Sequence, residues 1–208
     1  DHRDLHSFPT RRSSDLANAH PLTDTADVRA GQSGPVWFLG GTWAPTTDLN
    51  GNLVGIADRH VTIPAGKALF FPIVNAEASV AEGNGTTEAE LRETANFFVD
   101  HAVGLSCTID GRPVKNLEAY RAESPLFAFG PLPENNLLGL DEGTTSPAVS
   151  DGYYVMLAPL RPGEHTLHFT GALVFTAAED GFDFSFTLDI TYRITVKPPG
   201  RGRNCEND

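Results

Sequence analysis

The stretch FDFSFTLDITYRITV, Phe182–Val196, alternates apolar and polar side chains with great regularity. Apolar residues fill every second position from Phe182 to Val196, and Asp, Ser, Thr and Arg fill the positions between them. Because successive side chains of a β-strand point to opposite faces, the pattern predicts a strand with one buried and one hydrated face. At about 3.3 Å per residue the run is longer than most strands, so we expect a bend, a bulge or two consecutive strands.

Shorter apolar runs on either side of a turn signal repeat the same pattern through the rest of the chain. The turn signals are Asn50-Gly51, Pro64 with Gly66, Asp110-Gly111 and Pro162-Gly163. Many short strands without alternating helices indicate an antiparallel rather than a parallel sheet. The sequence therefore predicts a mainly β fold, an antiparallel β-sandwich of jelly-roll-like type.

One segment departs from this pattern and predicts a single inserted amphipathic helix at about residues 87–102. Thr87 and Glu90 have the spacing of a capping box, in which the two side chains satisfy free N–H groups at the helix start. The positions that follow form an apolar stripe of Leu91, Ala95, Phe98 and Ala102. We expect this stripe to pack on a sheet.

The overall charge excludes one class of partner. The chain has 15 Lys and Arg residues against 27 Asp and Glu, a formal net charge of −12. Nucleic-acid binding needs clustered Lys and Arg, so no nucleic-acid partner is expected. No run approaches the roughly 20 apolar residues of a membrane helix, and no membrane insertion is expected.

The opening residues DHRDLHSFPTRRSSDL, 1–16, resemble one translated reading frame of a common sequencing adapter. We therefore interpret residues 1–16 as a non-native segment that takes no part in function. Residues 17–34 are polar and turn-rich, which is typical of an extended leader. Residues 35–197 are expected to form a single β-sandwich domain, followed by a disordered tail at 198–208.

The order of several motifs resembles a group of uncharacterised bacterial secreted proteins. The motifs are GQSGPVWFLGGT at 31–42, VTIPAGKALFFPIVNAEAS at 61–79, YRAESPLF at 120–127, DGYYVMLAPLRPGEHTLHF at 151–169 and TYRITV at 191–196. This resemblance implies an exported β-rich domain, extracellular or periplasmic. It brings no catalytic residues with it.

Oxygen-bearing side chains on two predicted loops suggest calcium binding, because Ca²⁺ prefers carboxylate and amide oxygens. Asp48, Asn50 and Asn52 alternate around the first turn, although a plain Asn-Gly hairpin explains them equally well. The second group follows an apolar strand and consists of Asn75, Glu77 and Glu82. Ca²⁺ is the only cofactor that the sequence suggests.

Aromatic residues suggest a face that stacks on a glycan. Trp43 and Tyr154 are the candidates for exposed rings, with Asn75 and Glu77 as polar partners. Core packing is the expected fate of Trp37 and of either Tyr153 or Tyr154.

The leading functional hypothesis is an exported, non-catalytic β-sandwich that binds a glycan or protein partner. The chain contains no metalloprotease, serine-hydrolase or phosphate-loop motif. The alternative is a small secreted hydrolase or lyase whose site is assembled from loop carboxylates and His, with Glu77, His60 and His165 as candidates.

Overall fold

The computed structural model describes residues 22–23, 27–42, 45–49 and 51–198. The predicted adapter-like segment, the predicted tail from residue 199 onward, Trp43 and Asn50 lie outside these residues. Within the described part, the elements in chain order are β1 Val36–Phe38, β2 Thr46–Thr47, β3 Leu53–Pro64, β4 Ala68–Ser79, α1 Glu88–Asp100, β5 Ala102–Ile109, β6 Arg112–Pro113, β7 Arg121–Glu123, β8 Phe127–Phe129, β9 Ser146–Leu157, β10 Gly163–Phe175 and β11 Phe184–Lys197.

These strands form two sheets. The five-stranded sheet has the order β1-β4-β9-β7, with β8 also paired to β9, and the six-stranded sheet has the order β2-β3-β11-β10-β5-β6. Strands β3 and β4 follow each other in the chain but belong to different sheets, so the chain crosses between sheets at residues 65–67. The prediction of a mainly β sandwich with a single helix is confirmed.

Both sheets are mixed rather than purely antiparallel. Strand β1 pairs with β4 in parallel, and β3 pairs with β11 in parallel. The other described pairings are antiparallel. Turn signals identify strands that are joined by hairpins, whereas these parallel partners are far apart in the sequence and carry no local signal.

The core lies between the two sheets. Phe71 of β4 and Phe169 of β10 stack across the interface with their ring centroids 5.3 Å apart. Trp37 is buried in this core, as the sequence predicts, and Cys107 of β5 lies in the same cluster. Burial raises the pKa of the Cys107 thiol to about 11, so this cysteine is a neutral core side chain.

Within the stretch Phe182–Val196, residues from Phe184 onward belong to one continuous strand, so the expected bulge or division into two strands is wrong. Strand β11 pairs without a register shift with β10 on one side and β3 on the other. A long strand is well supported when both edges are paired along its length. Phe182 precedes this strand and, with Phe184, is exposed rather than buried on the core face.

The predicted hairpin at Asp110-Gly111 is confirmed. Strands β5 and β6 pair antiparallel on either side of it. Asp110 has φ of 52° and Gly111 has φ of 73°, which are the positive values that a two-residue type I′ turn requires.

The predicted helix is confirmed as α1, and its capping box is present. It ends at Asp100, so Ala102, which was expected on the apolar stripe of the helix, instead begins β5. The backbone N–H of Glu90 donates to the Thr87 hydroxyl at 3.3 Å, and the Glu90 carboxylate accepts from the Thr87 N–H at 3.0 Å. Leu91 and Ala95 pack on Ala78 of β4 and Val149 of β9. The helix therefore covers one end of the five-stranded sheet. Among the described residues, no helix is long and apolar enough to cross a membrane.

Candidate functional site

A row of aromatic rings crosses the outer face of the five-stranded sheet. Leu69 and Phe71 point into the core, so Phe70 between them points outward. Phe38 of β1 lies directly opposite Phe70, with ring centroids 5.8 Å apart. On the other side, Tyr154 of β9 stacks on Phe70 at 5.6 Å. Three adjacent strands thus present a line of half-buried aromatic rings. We call Phe38, Phe70 and Tyr154 the aromatic row.

The hydroxyl of Tyr154 lies at the end of this row, among hydrogen-bonding groups of β4 and β9. It is 2.6 Å from the Ser150 hydroxyl, which itself donates to the Ala76 carbonyl at 2.7 Å. Because Ser150 has one proton and donates it to Ala76, the Tyr154 hydroxyl is the donor to Ser150. Burial raises the pKa of Tyr154 to about 12, although the hydrogen bond with Ser150 opposes this shift. Tyr154 therefore stays neutral across the physiological range.

Glu77 lies next to this group, directly opposite Ser150 in the β4–β9 pairing. Burial and a hydrogen bond with Glu82 raise the pKa of Glu77 to about 9. The Ser79 hydroxyl donates to Glu82 at 2.5 Å. Within the described residues, the buried Oε1 atom of Glu77 has no hydrogen-bond partner. Glu77 is therefore a neutral carboxyl group at pH 7, with one oxygen whose hydrogen bonding is unsatisfied.

Replacing Glu77 by Gln is expected to raise stability at alkaline pH. The folded-state pKa of Glu77 exceeds its ordinary value of 4.5, so the folded state binds the proton more tightly. Wild-type protein then loses stability as the pH rises from about 5 through 9, and the variant loses less. At pH 8 we expect the melting temperature of Glu77→Gln to exceed that of wild type by about 3 °C or more.

Thermal melts of wild type and Glu77→Gln from pH 5 to 9 test this prediction. Glu93→Gln, at an exposed helix position, is the matched control and is expected to leave the slope of stability with pH unchanged. A Glu77→Gln variant that melts at a lower temperature than wild type at pH 8 would contradict the conclusion that Glu77 is a neutral carboxyl group in the folded protein.

Asn75 is presented to solvent beside Glu77 by a local irregularity of the sheet. The register of β4 on β9 shifts between Pro72 and Val74, and Asn75 then faces Gly152. A Cβ atom on Gly152 would lie 2.4 Å from the Cβ of Asn75, which real structures do not tolerate. The glycine therefore allows the close approach that places Asn75 next to Tyr154. The sheet thus brings together three predicted ligand-binding residues, Asn75, Glu77 and Tyr154.

The predicted metal-binding group at the β2–β3 turn is arranged differently. The backbone and side-chain N–H groups of Asn52 donate to the two carboxylate oxygens of Asp48, at 2.9 and 3.2 Å. The remaining amide oxygen of Asn52 accepts from Ser185 at 2.8 Å. These contacts close the hairpin, which is the alternative explanation for this motif. In the part of the chain that the structure describes, no three His, Cys, Asp or Glu side chains group as metal ligands.

The candidate acid and base residues of the enzymatic alternative are not brought together. Glu77 lies in the five-stranded sheet, whereas His60 and His165 lie on β3 and β10 of the six-stranded sheet. His60 sits opposite the exposed Arg193, and His165 sits opposite the buried Ile194, so the two histidines occupy opposite faces.

His165 is also poorly suited to act as a base. Its two ring nitrogens face the Asp110 carboxylate at 2.8 Å and the Arg161 carbonyl at 2.9 Å. Both partners accept hydrogen bonds, so these contacts favour the protonated ring, which donates from both nitrogens. The Asp110 carboxylate and the carbonyl raise the pKa of His165 above its ordinary value, although burial opposes them.

Sequence reasoning missed Phe38, Phe70 and Ser150 as parts of the site. Strand alternation alone assigns Phe70 to the face opposite Phe71, which was a usable signal. The neighbourhood of Phe38 depends on the parallel β1–β4 pairing, which no local pattern predicts. Trp43, the other predicted aromatic, lies outside the described residues.

Comparisons with known proteins add little to this geometry. No family model and no curated protein matches the chain. Among solved structures, a chain from "Structure of PbICP-C in complex with falcipain-2" is 12% identical, with 77% of this chain and 98% of that chain covered and a TM-score of 0.24. A similarity at this level supports no inference about function.

Proposed function

We propose that this chain is an exported, non-catalytic β-sandwich domain that binds a neutral glycan on the outer face of its five-stranded sheet. The observation that supports the proposal is the aromatic row of Phe38, Phe70 and Tyr154, which ends against the neutral hydrogen-bonding groups of Ser150 and Glu77. Export is supported by the sequence resemblance alone.

The two halves of this surface match the two kinds of surface on a sugar. The C–H faces of a sugar ring are apolar and pack on aromatic rings, whereas its hydroxyls need donors and acceptors. At the usual strand spacing of about 4.8 Å, a row across three strands extends about 10 Å. We therefore expect a ligand with more than one sugar ring.

The charge state of Glu77 favours a neutral ligand. A protonated carboxyl both donates and accepts, so it can pair with a sugar hydroxyl without leaving a buried charge. An anionic sugar would instead lie beside Glu82 and the overall charge of −12, which repel it.

Removing the Tyr154 side chain is expected to weaken glycan binding at least tenfold. The probes are cellohexaose, xylohexaose, mannohexaose, laminarihexaose and chitohexaose, each titrated into the full chain by calorimetry. For a hexaose that binds wild type, we expect Tyr154→Ala to raise the dissociation constant at least tenfold, because the substitution removes both the stacking area of the ring and its hydroxyl. Tyr154→Phe keeps the ring and is expected to raise the dissociation constant about three- to tenfold.

The matched control is Ile56→Ala, which truncates a side chain that is 63% exposed on the six-stranded sheet. It is expected to change the affinity less than twofold. Equal affinities of wild type and Tyr154→Ala would contradict the proposed site. Release of reducing ends from any hexaose would contradict the absence of catalysis and favour the hydrolase alternative.

A further inference from the structure

Four aromatic rings and the ring of His101 surround Phe175 at one end of the sandwich. The centroid distances from Phe175 are 4.2 Å to His101, 5.5 Å to Phe97 and Phe182, 5.6 Å to Phe98 and 5.9 Å to Phe184. Phe175 itself is buried. The cluster joins the end of α1 to the start of β11.

Three of these rings are exposed to an unusual degree for phenylalanine. Phe97, Phe182 and Phe184 are 41%, 47% and 37% exposed. Their contacts with the shared Phe175 make them one contiguous surface, which we call the Phe patch. Contiguous exposed apolar surface of this kind marks interaction sites more often than scattered single residues do.

The segment that presents Phe182 is held in place by its own hydrogen bonds. The backbone N–H groups of Thr176 and Ala177 donate to Asp180 and Asp183 at 2.9 and 2.8 Å. Asp180 also accepts from His101 at 2.9 Å, and the other ring nitrogen of His101 faces the Phe97 carbonyl at 2.7 Å. The patch is therefore preorganised, and little conformational entropy is lost when a partner binds.

Acidic side chains surround the Phe patch. Glu179 and Asp183 are exposed in the segment that leads to Phe184, and this segment contains no Lys or Arg. Glu93 and Asp100 are exposed on α1, within one turn of Phe97, although Asp100 pairs with Arg121. The charge around the patch therefore favours a partner that brings basic residues.

We propose that the Phe patch binds a peptide segment that combines apolar side chains with flanking Lys or Arg. A second copy of this chain fits less well, because it would place two acidic rims together on molecules of net charge −12. A neutral glycan lacks the cationic groups that the rim attracts. This surface is separate from the aromatic row on the outer face of the five-stranded sheet.

The test uses a fluorescein-labelled synthetic peptide of Leu and Lys at helical spacing, with a second peptide in which Glu replaces every Lys. Anisotropy titrations with the full chain give the dissociation constants. We expect the Leu/Lys peptide to bind and the Leu/Glu peptide to bind at least tenfold more weakly. We expect Phe97→Ala/Phe182→Ala to weaken binding of the Leu/Lys peptide at least tenfold, and Ile56→Ala to change it less than twofold.

A second variant keeps the proposal testable if the double variant fails to fold. Glu93→Lys/Glu179→Lys keeps the rings and the hydrogen bonds of Asp180 and Asp183 and reverses the charge of the rim, so it is expected to weaken binding of the same peptide at least fivefold. Equal binding of the Leu/Lys peptide by wild type and either double variant would overturn the proposal. So would equal affinity for the two peptides, or sedimentation that shows a dimer which the Phe97→Ala/Phe182→Ala variant loses.

Discussion

Replacing Phe169 by Ala is expected to cost about 3–5 kcal/mol of the free energy of unfolding. Phe169 is fully buried, and its ring stacks on Phe71 of the opposite sheet. The substitution removes apolar contact from both sheets at once and leaves a cavity that the paired strands cannot close. For a protein that is stable by about 5–15 kcal/mol, such a loss is a large fraction of the total.

Urea unfolding monitored by circular dichroism measures this loss. The matched control is Phe182→Ala, which removes the same ring from a surface position and is expected to cost about 1 kcal/mol or less. Similar losses for the two variants would mean that the two sheets are not packed through Phe169.

Replacing Asp151 by Ala is expected to cost about 2–3 kcal/mol. Asp151 is 1% exposed, and it accepts hydrogen bonds from Arg121 at 2.6 and 2.9 Å and from the Gly152 N–H at 2.7 Å. Removing one partner of a buried ion pair leaves the other charge without compensation, which typically costs about 3–5 kcal/mol. The expected loss is smaller here because Arg121 is one-third exposed and retains Asp100.

The matched control is Asp58→Ala, which breaks the exposed pair of Asp58 with Arg193 and is expected to leave the free energy of unfolding nearly unchanged. The double variant Asp151→Ala/Arg121→Met removes both charges and is expected to regain part of the loss. If Asp151→Ala were no less stable than Asp58→Ala, the pair would not hold β7 to β9.

Local sequence pattern predicted the elements well because their causes are local. Alternation placed the strands, the Thr87 and Glu90 pair placed the start of α1, and Asp110-Gly111 placed a hairpin. Pairing across the sheets has no such local cause. The parallel partners β3 and β11, and β1 and β4, are selected by packing of the whole core, and so the sequence predicted purely antiparallel sheets.

For the candidate site too, features with a local cause were predicted from the sequence, whereas features that depend on packing across the sheets were not. Asn75 and Glu77 were predicted as ligand-binding residues beyond the end of an apolar strand, and Tyr154 as an exposed ring. The structure instead places Asn75 and Glu77 within β4, where they converge with Tyr154 of β9. The neutral state of Glu77 was not predictable, since it arises from burial beside Glu82. The Phe patch was missed because alternation assigned Phe182 and Phe184 to the core face, whereas Phe184 lies at the exposed start of β11 and Phe182 lies before the strand.

The most direct test of glycan binding is to map each hexaose onto the protein by NMR. Backbone amide shifts of the ¹⁵N-labelled full chain are followed while each of the five hexaoses is added. We predict that at least one hexaose shifts amides of β1, β4 and β9, centred on Phe38, Phe70 and Tyr154, and leaves the six-stranded sheet unchanged. No shift with any hexaose, or shifts centred on the six-stranded sheet, would contradict the proposed function.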